Sequence, residues 1–118
     1  MRRTLLKSKI QKALVTGADL DYEGSLGLDE RLMTAADMIP FEKVHVYNVT
    51  NGERFSTYLI KEAADSGKVA IYGAAAHKAG PGDLLIIVSY VQLDETEIAA
   101  FAPKVVILDE HNRIKTIR

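Results

Sequence analysis

The chain has 118 residues, 47% hydrophobic and 26% charged, with 15 Lys and Arg against 16 Asp and Glu for a formal net charge of −1. That length supports one domain with a proper core but not two, and near-neutrality gives no electrostatic case for nucleic acid or an anionic membrane as partner. With no cysteine, thiol chemistry, disulfide staples and the common zinc-finger patterns are excluded.

In chain order, Met1-Arg2-Arg3-Thr4-Leu5-Leu6-Lys7 offers two leucines where a signal peptide needs a long apolar core, so the expectation is a cytoplasmic protein. Thr4 to Ile10 reads as a strand and Ala13 to Val15 as a second, shorter one. Leu20 to Gly24 is a loop or hairpin, and Ser25 to Leu28 resumes as strand. Asp29 suits a helix N-cap with Glu30 at the positive helix end, and Leu32, Ala35, Ala36 and Ile39 follow at helical spacing up to Pro40. Lys43 to Val49 and Arg54 to Ile60 flank Asn51-Gly52, the strongest short hairpin signal in the chain. Asp65-Ser66-Gly67 is a turn and Val69 to Tyr72 a short strand; Gly73-Ala74-Ala75-Ala76 is a tract of small residues rather than a strand. Gly80-Pro81-Gly82-Asp83 turns the chain into Leu84 to Tyr90, an apolar run of buried-strand length, too short to span a membrane. Asp94 to Phe101 gives one or two helical turns, and Lys104 to Leu108 and Arg113 to Ile117 are strands joined through Glu110-His111-Asn112. Many short strands with one clear helix argue for a mainly β protein, a small closed β-barrel with one or two short helices, spanning residues 1–118 as a single domain.

The loop before the third strand carries Gly24-Ser25. By itself the pair reads as a turn entering a strand. It also permits a reaction. Gly24 reaches strained backbone conformations, and the Ser25 hydroxyl adjoins the Gly24 carbonyl. Attack there exchanges the amide for an ester, and β-elimination then cuts the chain to leave a dehydroalanine. Hydrolysis releases ammonia and leaves a pyruvoyl group, a covalent electron sink at a new amino terminus. Further along, strand alternation puts Arg54, Ser56 and Tyr58 on one face and turns Thr57 away. Arg54 is either a surface arginine or a planar fork for a carboxylate. His45, His77 and His111 lack ligand-like spacing with carboxylates, and no metal site is expected.

Three blocks, Thr16 to Ser25 (Thr-Gly-Ala-Asp-Leu-Asp-Tyr-Glu-Gly-Ser), Asn48 to Tyr58 (Asn-Val-Thr-Asn-Gly-Glu-Arg-Phe-Ser-Thr-Tyr) and Gly73-Ala74-Ala75-Ala76-His77, resemble the pyruvoyl-dependent aspartate 1-decarboxylases in order and spacing, from about Arg3 to Ile107. The resemblance implies a six-stranded double-psi β-barrel, assembled as a homotetramer with active sites between subunits. It implies autocatalytic cleavage between Gly24 and Ser25 into residues 1–24 and 25–118, with Ser25 becoming the pyruvoyl cofactor. The implied reaction converts L-aspartate to β-alanine and carbon dioxide through a Schiff base to that group, and feeds pantothenate and coenzyme A synthesis.

The same resemblance assigns the residues. Ser25 and Tyr58 are catalytic, Tyr58 as proton donor to the decarboxylated intermediate. Gly24, Ser25 and Thr57 serve processing, while Lys9, Arg54, Thr57, Gly73, Ala74 and Ala75 bind substrate. The three small residues let the backbone approach substrate closely, and Tyr22 and Glu23 frame the site beside the cut. No residue pattern identifies a maturation partner. Two positions depart from the family: Tyr72 stands where asparagine is usual, and Gln11 where histidine is; Tyr47 is a milder difference. Tyr72 and Gln11 leave open a family member processed poorly or acting on another substrate; a second alternative, of another class, is a non-catalytic β-barrel binding module that keeps Gly24-Ser25 intact.

Overall fold

Alternating apolar and polar side chains resolve into nine strands in the computed structural model, which describes residues 1–118. They are β1 (Arg2–Leu14), β2 (Gly17–Asp19), β3 (Ser25–Asp29), β4 (Lys43–Asn48), β5 (Arg54–Glu62), β6 (Val69–Tyr72), β7 (Leu84–Asp94), β8 (Lys104–Leu108) and β9 (Ile114–Ile117). Two short helices, α1 (Glu30–Ala35) and α2 (Glu95–Ile98), and a 3-10 turn at Gly73–His77 complete the chain. No helix is long and apolar enough to cross a membrane.

The strands form one ladder in the order β2-β6-β3-β5-β4-β7-β1-β8-β9. Only Val15 and Thr16 separate β1, seventh in that order, from β2, which is first. In a flat sheet those strands would stand about 29 Å apart at ~4.8 Å per neighbour, while a link of this length spans at most about 11 Å. The sheet must therefore curl. Its seam is made by Val15 N–H to the Asp83 carbonyl and Thr16 N–H to the Val69 carbonyl, 2.9 and 2.8 Å.

The expectation of a mainly β fold with two short helices holds, but the strand count is nine rather than six. Six strands, β6-β3-β5-β4-β7-β1, form the curled body; β2 extends it at one end and the β8–β9 hairpin at the other. The ladder itself stays open, because the seam consists of single bonds from residues 15 and 16 instead of a paired strand.

Inside the curl lie Ile10, Ala13, Leu26, Leu28, Val44, Val46, Leu59, Ile71, Leu85 and Ile87, all fully buried. The two strands expected at residues 4–10 and 13–15 are one, continued through a bulge between Ile10 and Ala13 where Lys12 takes φ 63°. Helix α1 is capped as expected, with the Asp29 carboxylate accepting from Arg31 N–H, yet it stops at Ala35. Asp37 in the left-handed region (φ 56°) ends it before Pro40, so Ile39 faces solvent rather than the core.

Asn112 closes the other side of the seam. At φ 58°, its buried amide accepts from Leu14 N–H and donates to the carbonyls of Leu14 and Gly67, each at 2.8 Å. Replacing it with Ala orphans one buried and two part-buried backbone groups, which is expected to lower the unfolding free energy by about 2–4 kcal/mol in urea titrations. Asn112→Asp, which keeps only the acceptor, is expected to lose more than half of that amount.

Candidate active site

Strand β6 lies between β2 and β3, so the five residues that join those two strands must arch over its end. Tyr72 is the residue beneath the arch, paired with Asp19 on one side and with Ser25 on the other. Gly73 follows in the left-handed region (φ 69°), and a Cβ there would meet Gly24 Cα and N at 2.7 Å and the Tyr22 carbonyl at 2.9 Å. Only glycine allows that approach. The Gly24–Ser25 bond thus sits at the foot of an arch pressed against a backbone turn, with Ser25 just 1% exposed.

The parallel β3–β5 register pairs Leu26 with Leu59, so Ser25 and Tyr58 stand next to each other one residue earlier on adjacent strands. Side chains at these two positions share a face. Tyr58 is 39% exposed and packs near Phe41, ring centroids 6.4 Å apart. Thr57 points to the other face, opposite Val44, as alternation requires. It still borders Gly24: Gly24, Phe55, Ser56, Thr57, Ala74, Ala75 and Lys78 line one cavity of about 250 Å³. Because β3 starts only at Ser25, Gly24 lies outside the ladder, and the gap it leaves is where Thr57 and the alanines meet.

Arg54 and Lys9 lie elsewhere on the same chain. Arg54 is four residues from Tyr58 along β5, about 13 Å at strand rise, and its guanidinium rests 4.0 Å from the centre of the Tyr47 ring. Tyr47 and Tyr90 share a hydroxyl–hydroxyl bond of 2.8 Å, and His45 meets the Tyr90 ring edge-on at 5.2 Å. Lys9 pairs with Val88, which pairs with His45, which pairs with Ser56, so Lys9 shares the face of Arg54 three strands from β5. Within one chain, the expected residues form two groups: Gly24, Ser25, Thr57, Tyr58, Gly73, Ala74 and Ala75 at the arch, and Lys9 and Arg54 on a basic, aromatic face.

Sequence reasoning missed several residues. Lys78 lines the cavity as a cation, paired with Glu53 at 2.9 Å. Asn48, assigned no role, is buried and binds the Lys78 carbonyl, the Asp83 carboxylate and Thr50 N–H. Its bonds join the β4–β5 hairpin to the end of the Gly73–His77 turn, and the Asn-Val-Thr-Asn-Gly spacing is the signal that could have shown it. A larger groove of about 630 Å³ between Lys12, Leu84 and Lys115 contains none of the expected residues. No group of three His, Asp or Glu side chains is placed to share an ion.

Tyr72 does not line the cavity; its phenol donates to Glu62 Oε2 at 2.7 Å. Burial, then the bond to Glu62 and its charge, push the phenol up to about 12 from an ordinary 10.0. A raised value means that the folded state favours the protonated form. This contribution to stability is full below pH 10 and fades as pH rises toward 12. Phenolate absorbance during alkaline titration is expected to show a late step near pH 12 that Tyr72→Phe removes.

The family profile described as "Aspartate decarboxylase" matches residues 1–115. The chain is 55% identical to the aspartate 1-decarboxylase of Ralstonia pickettii (strain 12J), over all of its own length and 98% of that protein. It is 53% identical to that of Ralstonia nicotianae (strain ATCC BAA-1114 / GMI1000) with the same coverage, and 52% identical to that of Bordetella avium (strain 197N), covering 97% of it. With the arch, the hairpin and the glycine–alanine turn all inside these matches, the chain belongs to the aspartate decarboxylase family.

Proposed function

We propose that this protein decarboxylates L-aspartate at its α-carbon, giving β-alanine and carbon dioxide, after cutting itself between Gly24 and Ser25. The observation that carries the proposal is the buried Ser25 at the foot of an arch in which Gly24 and the Tyr22 carbonyl rest on Gly73, beside a cavity lined by Thr57, Ala74 and Ala75. The cavity is of a size for an amino acid, and its small walls leave backbone N–H groups accessible to a carboxylate or carbonyl.

The surroundings of residue 25 fit a pyruvoyl group. Ser25 is buried, the turn of glycine and alanines lies beside it, and the one amine on the cavity, that of Lys78, is engaged by Glu53 at 2.9 Å. Once formed there, that group supplies a ketone conjugated to an amide, which accepts the electron pair left when carbon dioxide departs. The chain's own residues do the rest. In processing, the Thr57 hydroxyl borders Gly24 and can donate to the oxygen that gains charge as Ser25 attacks. In turnover, Tyr58 Oη, beside Ser25 in the register, holds a proton for the substrate carbon. Arg54 presents a planar fork to a substrate carboxylate, and Lys9 a second positive charge.

Since Arg54 lies about 13 Å along β5 from Tyr58, a complete site needs these cations from a second copy. This supports the homotetramer with sites between subunits. Phe41, 77% exposed, and Ile39, 64% exposed, offer apolar surface beside Tyr58 for such a contact. The β-alanine would supply pantothenate and coenzyme A synthesis, which fits a cytoplasmic enzyme.

Intact-protein mass spectrometry tests the proposal: two fragments, residues 1–24 and 25–118, the larger beginning with a pyruvoyl group, are expected. Ser25→Ala should remain one 118-residue chain without release of carbon dioxide from aspartate; a wild-type chain that turns over aspartate uncut would refute the mechanism. In the cut enzyme, Arg54→Ala is expected to raise KM for aspartate about 10- to 100-fold, the loss of charged hydrogen bonds. Tyr58→Phe is expected to lower kcat by about 100-fold or more with KM little changed, as removal of a proton donor does.

A further inference from the structure

Tyr72 does more at the arch than pair at its base. Its ring packs on Tyr22 with centroids 4.6 Å apart. Tyr22 is 53% exposed even with this contact, and Tyr72 is the aromatic ring against which it packs. The Tyr72 phenol is fixed by Glu62, which Lys68 approaches at 3.7 Å. Gly27 leaves the room for this arrangement: a Cβ there would lie 2.8 Å from the Tyr72 ring and run into the Glu62 carboxylate. Three residues, Tyr22 of the arch, Gly27 of β3 and Glu62 of β5, are thus fitted around one ring.

We infer that Tyr72 is a positioning residue for the Gly24–Ser25 bond. Oriented by Glu62 and given space by Gly27, its ring grips Tyr22 and fixes the upstream limb of the arch. This keeps Gly24 pressed against Gly73 while the Ser25 hydroxyl attacks. The five residues of the arch, Leu20 to Gly24, include no strand pairing of their own. Without a grip on Tyr22 they sample many conformations, and the fraction of time spent in a geometry fit for attack falls. The inference rests on the self-cleavage reading and adds to it a residue that acts through Tyr22 rather than on the reacting atoms.

Cell-free synthesis sampled over time by intact mass spectrometry starts from the uncut chain of every variant. The wild type is expected to divide between Gly24 and Ser25. Tyr22→Leu, which loses the aromatic contact, is expected to divide about three- to ten-fold more slowly, whereas Tyr22→Phe, which keeps the ring, should match the wild type. Tyr72→Phe frees the ring from Glu62 and is expected to slow cleavage about five-fold; Glu62→Gln still accepts the bond and should keep most of the rate. Because the phenol acts through Tyr22, the double variant Tyr22→Leu/Tyr72→Phe is expected to be no slower than Tyr22→Leu alone. A cut wild type with Tyr22→Leu equally fast, or with Tyr22→Phe as slow as Tyr22→Leu, overturns this inference alone. A wild type that stays a single mass overturns the self-cleavage reading, and this inference with it.

Discussion

Gly73 touches Gly24 backbone to backbone, at a separation where a methyl group would be 2.7 Å from Gly24 Cα. Much else follows from that contact. It requires β6 to end under the loop from β2 to β3, which requires β6 to lie between those strands, so the chain returns to the sheet at Val69, after the β4–β5 hairpin, by entering between β2 and β3. The register on both sides of Tyr72 then determines where each end of the loop is held. A sheet whose connections were simple hairpins would have no loop crossing a strand, and no peptide bond held from two sides at once.

The two faces of the β5 strand divide the polar work. Phe55, Thr57 and Leu59 look inward, and Thr57 reaches the cavity only because the neighbouring strand begins one residue late. Arg54, Ser56 and Tyr58 look outward, where the sheet offers aromatic rings to hold an arginine flat. A guanidinium stacked on Tyr47 loses few of its rotamers on meeting a carboxylate, because the ring has already restricted them. Tyr90 extends that support onto β7, where His45 of β4 meets its ring edge-on.

Local signals in the sequence carried most of the fold. Asn51-Gly52 marked its hairpin, and Asp29 its helix cap; Gly80-Pro81-Gly82 marked the turn into β7, because backbone chemistry at those residues admits few alternatives. What escaped was set by tertiary context. Strand β2 has three residues, too few to show alternation, and exists through its pairing with β6. The bulge at Lys12 places an ordinary lysine in a left-handed conformation that nothing local requests. At the site, alternation correctly separated Thr57 from Arg54 and Tyr58, but the nearness of Thr57 to Gly24 depends on where the adjacent strand starts. Tyr72 read as a disruptive replacement; the glycine at 27 that accommodates it lies forty-five positions earlier in the chain, and only the sheet brings the two together.

Strand β1 is the longest in the molecule and lies between β7 and β8, with ten of its residues in register with β7. A cut at the arch would leave this central strand on a separate 24-residue polypeptide, held solely by hydrogen bonds and packing. Unfolding would then change molecularity. The uncut chain loses and regains its structure in a first-order process, while the cut protein releases a peptide that must find its partner again by diffusion. Its stability becomes dependent on concentration, and dilution after denaturation would separate the halves. Folding before any such cut would therefore matter kinetically: fragments once separated would regain the structure only slowly from dilute solution.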